Sequence, residues 1–102
     1  MLFGMATIDA AGAAERLKTL PGWVLDGAAI RRTFTFAGFR AAIAFVVRLG
    51  FEAEEADHHP DILVNFKRVT LTYSTHSEGG LTEKDFAGAT GAGELAASMG
   101  AK

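Results

Sequence analysis

Cysteine is absent from the sequence, proline occurs only twice, and neither sign of charge dominates. Without cysteine the chain can form neither a disulfide scaffold nor a thiolate zinc site. Its formal net charge of −2 argues against a general basic grip on nucleic-acid phosphates. The longest apolar run, around residues 41–47, is too short to span a bilayer, and residues 1–10 lack the pattern of a signal peptide. We therefore expect a cytoplasmic protein that binds neither membranes nor nucleic acid directly.

The composition is that of a small globular domain. Of the 102 residues, 49% are hydrophobic, eight are phenylalanine and 22% are charged. These fractions permit a packed core and argue against disorder. No repeat and no linker divides the chain, so we predict a single domain over residues 1–102.

Hydrophobic periodicity and turn signals predict the order of elements. A helix over residues 10–20 is followed by two strands that the Asp26-Gly27 turn separates. A long helix over residues 39–56 precedes a second pair of strands, which meet at Lys67-Arg68. Residues 82–85 fit a capping box and start a closing helix. This order is typical of the α+β class, with a four-stranded antiparallel sheet and helices packed on one face.

The apolar arc of the long helix is about twice as wide as one packed face requires. The helix is therefore either deeply buried or has two functions, with one face on its own sheet and the other on another subunit. The main stripe is formed by Phe39, Ile43, Val46, Val47 and Gly50, and Phe45 and Leu49 extend it sideways.

The closing helix is predicted to be weak. Gly88, Gly91 and Gly93 each lower its stability by roughly 1 kcal/mol relative to alanine. We therefore expect this helix to be short, broken or dependent on packing.

The histidines lie in the second half of the chain, at positions 58, 59 and 76. His58 and His59 stand between an acidic helix end and Pro60, where the backbone is extended and neighbouring side chains diverge. The open ends of an antiparallel hairpin lie close together, so the segment that contains His76 should return beside them. Asp85, at the start of the last helix, can orient one imidazole. The spacing predicts a cluster at one edge of the sheet, although surface histidines with no shared role would also fit it.

Acid–base chemistry suits this cluster better than metal binding, nucleophilic catalysis or phosphate binding. Adjacent His58 and His59 lack the i, i+4 spacing that places two zinc ligands on one helix face, so a metal site is less favoured. Ser74 lies in no nucleophile-elbow sequence, and Gly79-Gly80 is a turn signal and not a phosphate loop. Histidine titrates near neutrality, so one ring can donate a proton while another accepts one. A dehydration needs these two transfers and requires neither a metal nor an organic cofactor.

Three segments are specific enough to indicate a family. They are residues 54–60 (EEADHHP), 69–76 (VTLTYSTH) and 80–85 (GLTEKD). Together they closely resemble pterin-4a-carbinolamine dehydratase, and the similarity extends from Pro21 to the final helix. The resemblance implies the same sheet-and-helix fold, and a homodimer or homotetramer to which the long helix contributes. It also implies an enzyme that dehydrates 4a-hydroxytetrahydrobiopterin, a by-product of aromatic amino-acid hydroxylation, to the quinonoid dihydropterin.

The resemblance assigns roles to individual residues. His58 and His59 match catalytic acid–base residues, and His76 matches a third pocket histidine that binds or polarises the pterin and its 4a-hydroxyl. Which histidine is the acid and which the base stays open. The positions that match the surroundings of the substrate are Asp57, Pro60, Ser74, Thr75, Ser77 and Asp85.

The chain departs from the family beside the expected substrate. Many members carry an aromatic residue shortly after His-His-Pro, whereas this chain has Ile62, which would thin any aromatic wall beside the pterin. Some relatives also act as dimerisation partners of a transcription factor, and others accompany an aromatic amino-acid hydroxylase. The alternative to the enzyme is therefore an interaction protein that uses the 39–56 helix. Such a protein would lose function when the helix surface is changed and not when a histidine is changed.

Overall fold

The computed structural model describes residues 6–102, and their element order is the predicted one. These residues form α1 (Ala10–Leu17), β1 (Val24–Asp26), β2 (Ala29–Thr35), α2 (Phe39–Ala56), β3 (Asp61–Asn65), β4 (Arg68–Tyr73), a 3₁₀ turn (His76–Glu78) and α3 (Glu83–Ser98). The strands pair in the order β1-β2-β4-β3, and all pairs are antiparallel. The predicted α+β class with one antiparallel sheet is thus confirmed. None of the helices in residues 6–102 is long and apolar enough to cross a membrane.

The side chains of strand β4 alternate between two faces of the sheet that differ in polarity. Val69, Leu71 and Tyr73 are buried on the face that the helices cover. Thr70 and Thr72 alternate with them and point to the opposite, polar face. The residues that follow β4 are distributed between these two faces, and this distribution decides which of them can share a pocket.

Helix α2 has two apolar faces, and the stripe predicted to be central is not the buried one. Phe45 and Leu49, expected to extend that stripe sideways, are 0% and 2% exposed. They form the core face together with Ala42 and Ala53, whose small side chains let the helix lie close to the sheet. The second face is exposed and consists of Phe39, Ile43, Val47 and Phe51, which we call the outer stripe.

Helix α3 is continuous over Glu83–Ser98, so of the three expected outcomes, short, broken or dependent on packing, the structure fits the last. The predicted capping box is present and fixes its start. Its buried face, which includes Phe86 and Leu95, supplies the packing that offsets the weak propensity of its glycines. Gly88 has a packing function, because a Cβ at this position would lie 2.6 Å from the ring of Tyr73. The missing side chain lets α3 approach β4.

Candidate active site

The end of helix α2 directs His58 toward the interior. Asp57 adopts a left-handed conformation with φ 52° and ψ 42°, and its N–H donates to the Glu54 carbonyl at 3.1 Å. The N–H of His58 donates to the Ala53 carbonyl, also at 3.1 Å. This pair of bonds is a Schellman motif, which needs a left-handed residue where glycine is most common. Aspartate tolerates that backbone, so Asp57 reverses the chain and sets the position of His58.

His58 forms a short hydrogen bond with Asp85. The distance from Nε2 to Oδ1 is 2.6 Å, and the two side chains are 12% and 0% exposed. Asp85 belongs to the first turn of α3, while His58 follows α2, so the bond joins the two helices beside the sheet. Asp85 therefore contacts an imidazole, as its place at the start of the last helix suggested.

The second oxygen of Asp85 completes a buried network. Oδ2 accepts hydrogen bonds from the Thr75 hydroxyl at 2.8 Å and from the Thr82 N–H at 2.9 Å. The Thr75 proton is thereby used, so in the 2.8 Å contact between the two threonine hydroxyls Thr82 is the donor. All three side chains are buried. Because both hydroxyls and the N–H in this network donate to an acceptor, the carboxylate is held in one orientation.

This orientation determines the tautomer of His58. An ionised Asp85 carboxylate can only accept hydrogen bonds, so a neutral imidazole carries its proton on Nε2. Nδ1 then bears the lone pair and is free to accept a proton. The carboxylate also offsets the positive charge that the ring gains on accepting one. The arrangement of His58 and Asp85 is that of a general base and the group that orients it.

Tyr73, which the sequence pattern predicted only as a core strand residue, lies against His58. The two rings are nearly parallel, with centroids 6.0 Å apart and an interplanar angle of 19°. Burial, followed by the charges of Glu52 and Asp85, raises the pKa of Tyr73 to about 12. The phenol therefore keeps its proton at a higher pH than an exposed tyrosine does, and the ring restricts the position of the imidazole. Its place between alternating core residues of β4 gave no signal of this contact.

His59 points away from His58, as expected for neighbours on extended backbone. Its Nε2 lies 2.7 Å from Oε1 of Glu54, and both side chains are largely exposed. Glu54 was part of the motif that carried the resemblance but had no role in the predicted site. The pair places a solvent-accessible imidazole beside a carboxylate at the end of α2.

His76 lies on the polar face of the sheet. With Asp61, Thr72 and Ser74 it lines a cavity of about 360 Å³, which does not include His58. The Ser74 hydroxyl donates to the Ala28 carbonyl at 2.7 Å and ties the end of β4 to the β1–β2 turn. The segment that contains His76 returns to the sheet edge where His58 lies. Thr75, the residue before His76, and His58 both form hydrogen bonds to Asp85. The imidazoles of His58 and His76, however, lie on opposite faces.

The other expected substrate neighbours differ in exposure. Pro60 is buried, whereas Asp57 and Ser77 are exposed. Ile62 is 38% exposed on the edge strand β3. Within residues 6–102, no three His, Asp or Glu side chains are arranged as a set of metal ligands.

Comparison with known proteins gives a consistent family. The sequence model described as "Pterin 4 alpha carbinolamine dehydratase" matches residues 6–95. A protein of Thermomicrobium roseum that provisionally carries the name pterin-4-alpha-carbinolamine dehydratase is 49% identical, over 90% of this chain and 99% of its own length. A protein of Chloroflexus aurantiacus with the same provisional name is 50% identical, over 89% of this chain and 98% of its own length.

Solved structures agree. A structure described as a transcriptional coactivator/pterin dehydratase from Brucella melitensis superposes with a TM-score of 0.84 and 36% identity, covering 89% of this chain and 99% of that one. A pterin dehydratase-like protein described as a RuBisCO assembly factor of the alpha-carboxysome shares the fold, with a TM-score of 0.60, 24% identity and coverage of 72% and 86%. The profile match over most of the chain and the high identity to full-length relatives lead to one conclusion: the chain belongs to the pterin-4a-carbinolamine dehydratase family.

Proposed function

We propose that this protein dehydrates 4a-hydroxytetrahydrobiopterin, or a close pterin relative, to the quinonoid dihydropterin. In the reaction the C4a–O bond breaks, N5 loses its proton and a C4a=N5 double bond forms, so the by-product is water. The product can re-enter the cofactor cycle of an aromatic amino-acid hydroxylase after reduction by another enzyme. We place the activity in the cytoplasm, a setting that the absence of cysteine suits.

The observation that carries this proposal is the hydrogen bond between His58 and the fully buried Asp85. Three acceptor contacts fix the carboxylate, and the carboxylate in turn fixes the imidazole. A side chain that only filled space would not need this support. A general base, by contrast, gains from a fixed tautomer and from a nearby negative charge.

We assign removal of the N5 proton to His58, through Nδ1. The leaving 4a-hydroxyl must gain a proton, and we assign this transfer to His59, because the imidazole of His76 lies on the opposite face of the sheet from that of His58. Each well-positioned proton transfer contributes roughly 10²–10⁴-fold to the rate. Asp57, Pro60, Ser74, Thr75 and Ser77 form the backbone segments that flank these rings, and Asp85 acts through His58.

The test follows the absorbance change as freshly generated 4a-hydroxytetrahydrobiopterin dehydrates. We expect wild-type protein to accelerate the reaction and His58→Gln and His59→Ala to lose most of that acceleration. Glu55→Gln is the matched control, because it changes an exposed carboxylate of the same acidic helix end. A folded wild-type protein that leaves the buffer rate unchanged would exclude this substrate.

A second candidate function rests on the outer stripe of α2. Its members Phe39, Val47 and Phe51 are 52%, 53% and 75% exposed, and with Ile43 they recur at intervals of four residues. Exposed apolar side chains in a continuous row mark an interaction surface. We propose that a second copy of this chain covers the stripe, giving a homodimer or homotetramer. The Brucella melitensis relative, described as both coactivator and dehydratase, supports an interaction role beside the catalytic one.

Sedimentation velocity tests this second candidate. We expect wild-type protein to assemble and Val47→Glu and Phe51→Glu to be smaller. Ala14→Glu, an alanine change on an exposed position of α1, is the control. If the stripe variants assemble as wild type does, the stripe serves some other partner, such as a hydroxylase, or none. Loss of assembly with full dehydration would separate the two functions.

A further inference from the structure

A cavity between α2 and α3 borders the proposed base His58 and extends beyond it. Its volume is about 210 Å³, and His58 contributes only one part of its wall. The floor is buried and apolar, whereas the mouth is formed by exposed residues of the two helices. Tyr73 lies at the floor, and Glu52 and Lys84 lie at the mouth. His58, Gly88 and Gly91 line the wall between them.

Glycines on α3 keep this space open. A Cβ at Gly91 would meet no atom within 4 Å, so the position faces empty space. Gly88 lets α3 lie against the Tyr73 ring, where even a methyl group would collide at 2.6 Å. Glycine weakens a helix by roughly 1 kcal/mol relative to alanine. A larger residue at Gly91 would therefore fill the cavity, whereas one at Gly88 would collide with Tyr73.

The cavity has the size and lining for one aromatic ring. An apolar cavity of about 150 Å³ in another protein is large enough to bind benzene. The present volume of about 210 Å³ leaves room for a ring and a short substituent. The Tyr73 ring, which is held neutral, borders the cavity and offers an aromatic surface for offset or edge-on packing.

The mouth carries one charge of each sign on facing helices. Glu52 projects from α2 and Lys84 from α3, and neither belongs to an ion pair within the part of the chain that the structure describes. A ligand whose ring fills the floor would therefore place its polar end between a carboxylate and an ammonium. A head group with both a cation and an anion matches this pair better than a head group with one charge.

We propose that this cavity binds a free aromatic α-amino acid. The ring occupies the floor beside Tyr73, the α-ammonium faces Glu52 and the α-carboxylate faces Lys84. This site shares His58 with the proposed dehydration and lies apart from His59 and His76.

The test is titration of ¹⁵N-labelled full-length protein with L-phenylalanine at millimolar concentration, followed by amide shifts. We expect saturable shifts at Lys84, Gly88 and Gly91. Gly91→Leu fills the cavity and should abolish them, while Gly50→Leu, at an open helical position outside the cavity, should not. Saturable binding that Gly91→Leu leaves intact would overturn the site, as would the absence of shifts in wild-type protein.

Two analogues with a single charge test recognition of the head group: phenethylamine has only the ammonium, and 3-phenylpropionate has only the carboxylate. Glu52→Gln should weaken binding of L-phenylalanine and phenethylamine roughly fivefold and leave 3-phenylpropionate unchanged. Lys84→Gln should weaken L-phenylalanine and 3-phenylpropionate by a similar factor and leave phenethylamine unchanged. Equal binding of all three ligands to all variants would overturn recognition of a zwitterion. The titrations contain no pterin, so they report this site whether or not the protein dehydrates 4a-hydroxytetrahydrobiopterin, and failure of this site and failure of the dehydratase are distinguishable.

Discussion

Replacing Asp85 by asparagine changes the proton arrangement of the site while keeping its shape. The asparagine carbonyl can still accept from Thr75 and from the Thr82 N–H, the two donors now on Oδ2. The amide nitrogen then faces Nε2 of His58, where the carboxylate oxygen now lies at 2.6 Å. An amide N–H is a donor, so His58 must accept at Nε2 and carry its proton on Nδ1. The nitrogen that we assign as the base is thereby blocked.

The expected loss is that of a misplaced general base. We expect kcat to fall by roughly 10²–10⁴, with little change in KM, because Asp85 holds protein groups and not substrate. The same exchange in a serine-protease triad, which also imposes the wrong tautomer, lowers kcat about 10⁴-fold. The hydrogen bonds to a charged carboxylate become bonds to a neutral amide, which lowers the free energy of unfolding by about 1–2 kcal/mol. Dehydration of 4a-hydroxytetrahydrobiopterin measures the rate, and chemical denaturation measures the stability.

Glu83→Gln is the matched control for this variant. It removes a carboxylate from the same first turn of α3, but Glu83 is exposed and pairs with Arg16 at 2.8 Å. We expect its rate to equal that of wild type. If Asp85→Asn is folded and retains wild-type kcat, the inference that Asp85 sets the tautomer of His58 is refuted. If both variants lose activity equally, the effect comes from the helix start and not from the imidazole.

Three further outcomes test the packing. Tyr73 is the only tyrosine, so phenolate absorbance reports it alone. Its pKa is about 12 in the folded protein and 10.0 when the side chain is exposed, so the stability that it contributes is complete below pH 10 and is lost as the pH rises toward 12. This difference in pKa corresponds to roughly 3 kcal/mol, and Tyr73→Phe should flatten this part of the stability curve. Gly88→Ala should lower the free energy of unfolding by about 1–3 kcal/mol, as measured with denaturant, because its methyl group meets Tyr73. This loss should occur although alanine has the better helix propensity. Phe45→Ala should lower the free energy of unfolding by about 3–5 kcal/mol, and Phe51→Ala should lower it far less in a monomeric sample. Similar losses in the two variants would contradict the assigned orientation of α2.

The order of elements and the sheet could be predicted because local signals agree with the fold. Asp26-Gly27 marks the first hairpin, and the box over residues 82–85 marks the start of α3. The second hairpin followed from strict alternation of apolar and polar residues. That alternation also explains why Thr75 and His58 come together, since hairpin pairing brings the end of β4 beside the start of β3.

The orientation of α2 could not be predicted, because apolar residues cover both of its sides. Periodicity identifies a stripe, but it does not say which stripe meets the sheet. The small residues Ala42 and Ala53 decide this through close approach, and their contribution is weak on a hydrophobicity scale. The sequence left the length of α3 open for a related reason. Propensity counts the cost of its glycines, whereas packing against Tyr73 requires one of them, Gly88.

The separation of His58 from His76 was missed because sequence spacing gives proximity along an edge and not the face of the sheet. The left-handed turn at Asp57 sends His58 to the helix side, and no residue type at that position announces the turn as glycine would. Tyr73 escaped notice because a core aromatic and a residue that supports an imidazole have the same pattern.

The capping box of α3 links catalytic competence to the local opening of a helix end. Helix termini open more often than helix centres, and here the Thr82 amide is held by the same carboxylate that holds His58. Each fraying event that exposes this amide to solvent also releases the imidazole. Hydrogen exchange at Thr82 should therefore give the fraction of time for which the site is assembled. A substitution elsewhere in the first turn of α3 would then change the observed rate through that fraction, without touching any group that meets the pterin.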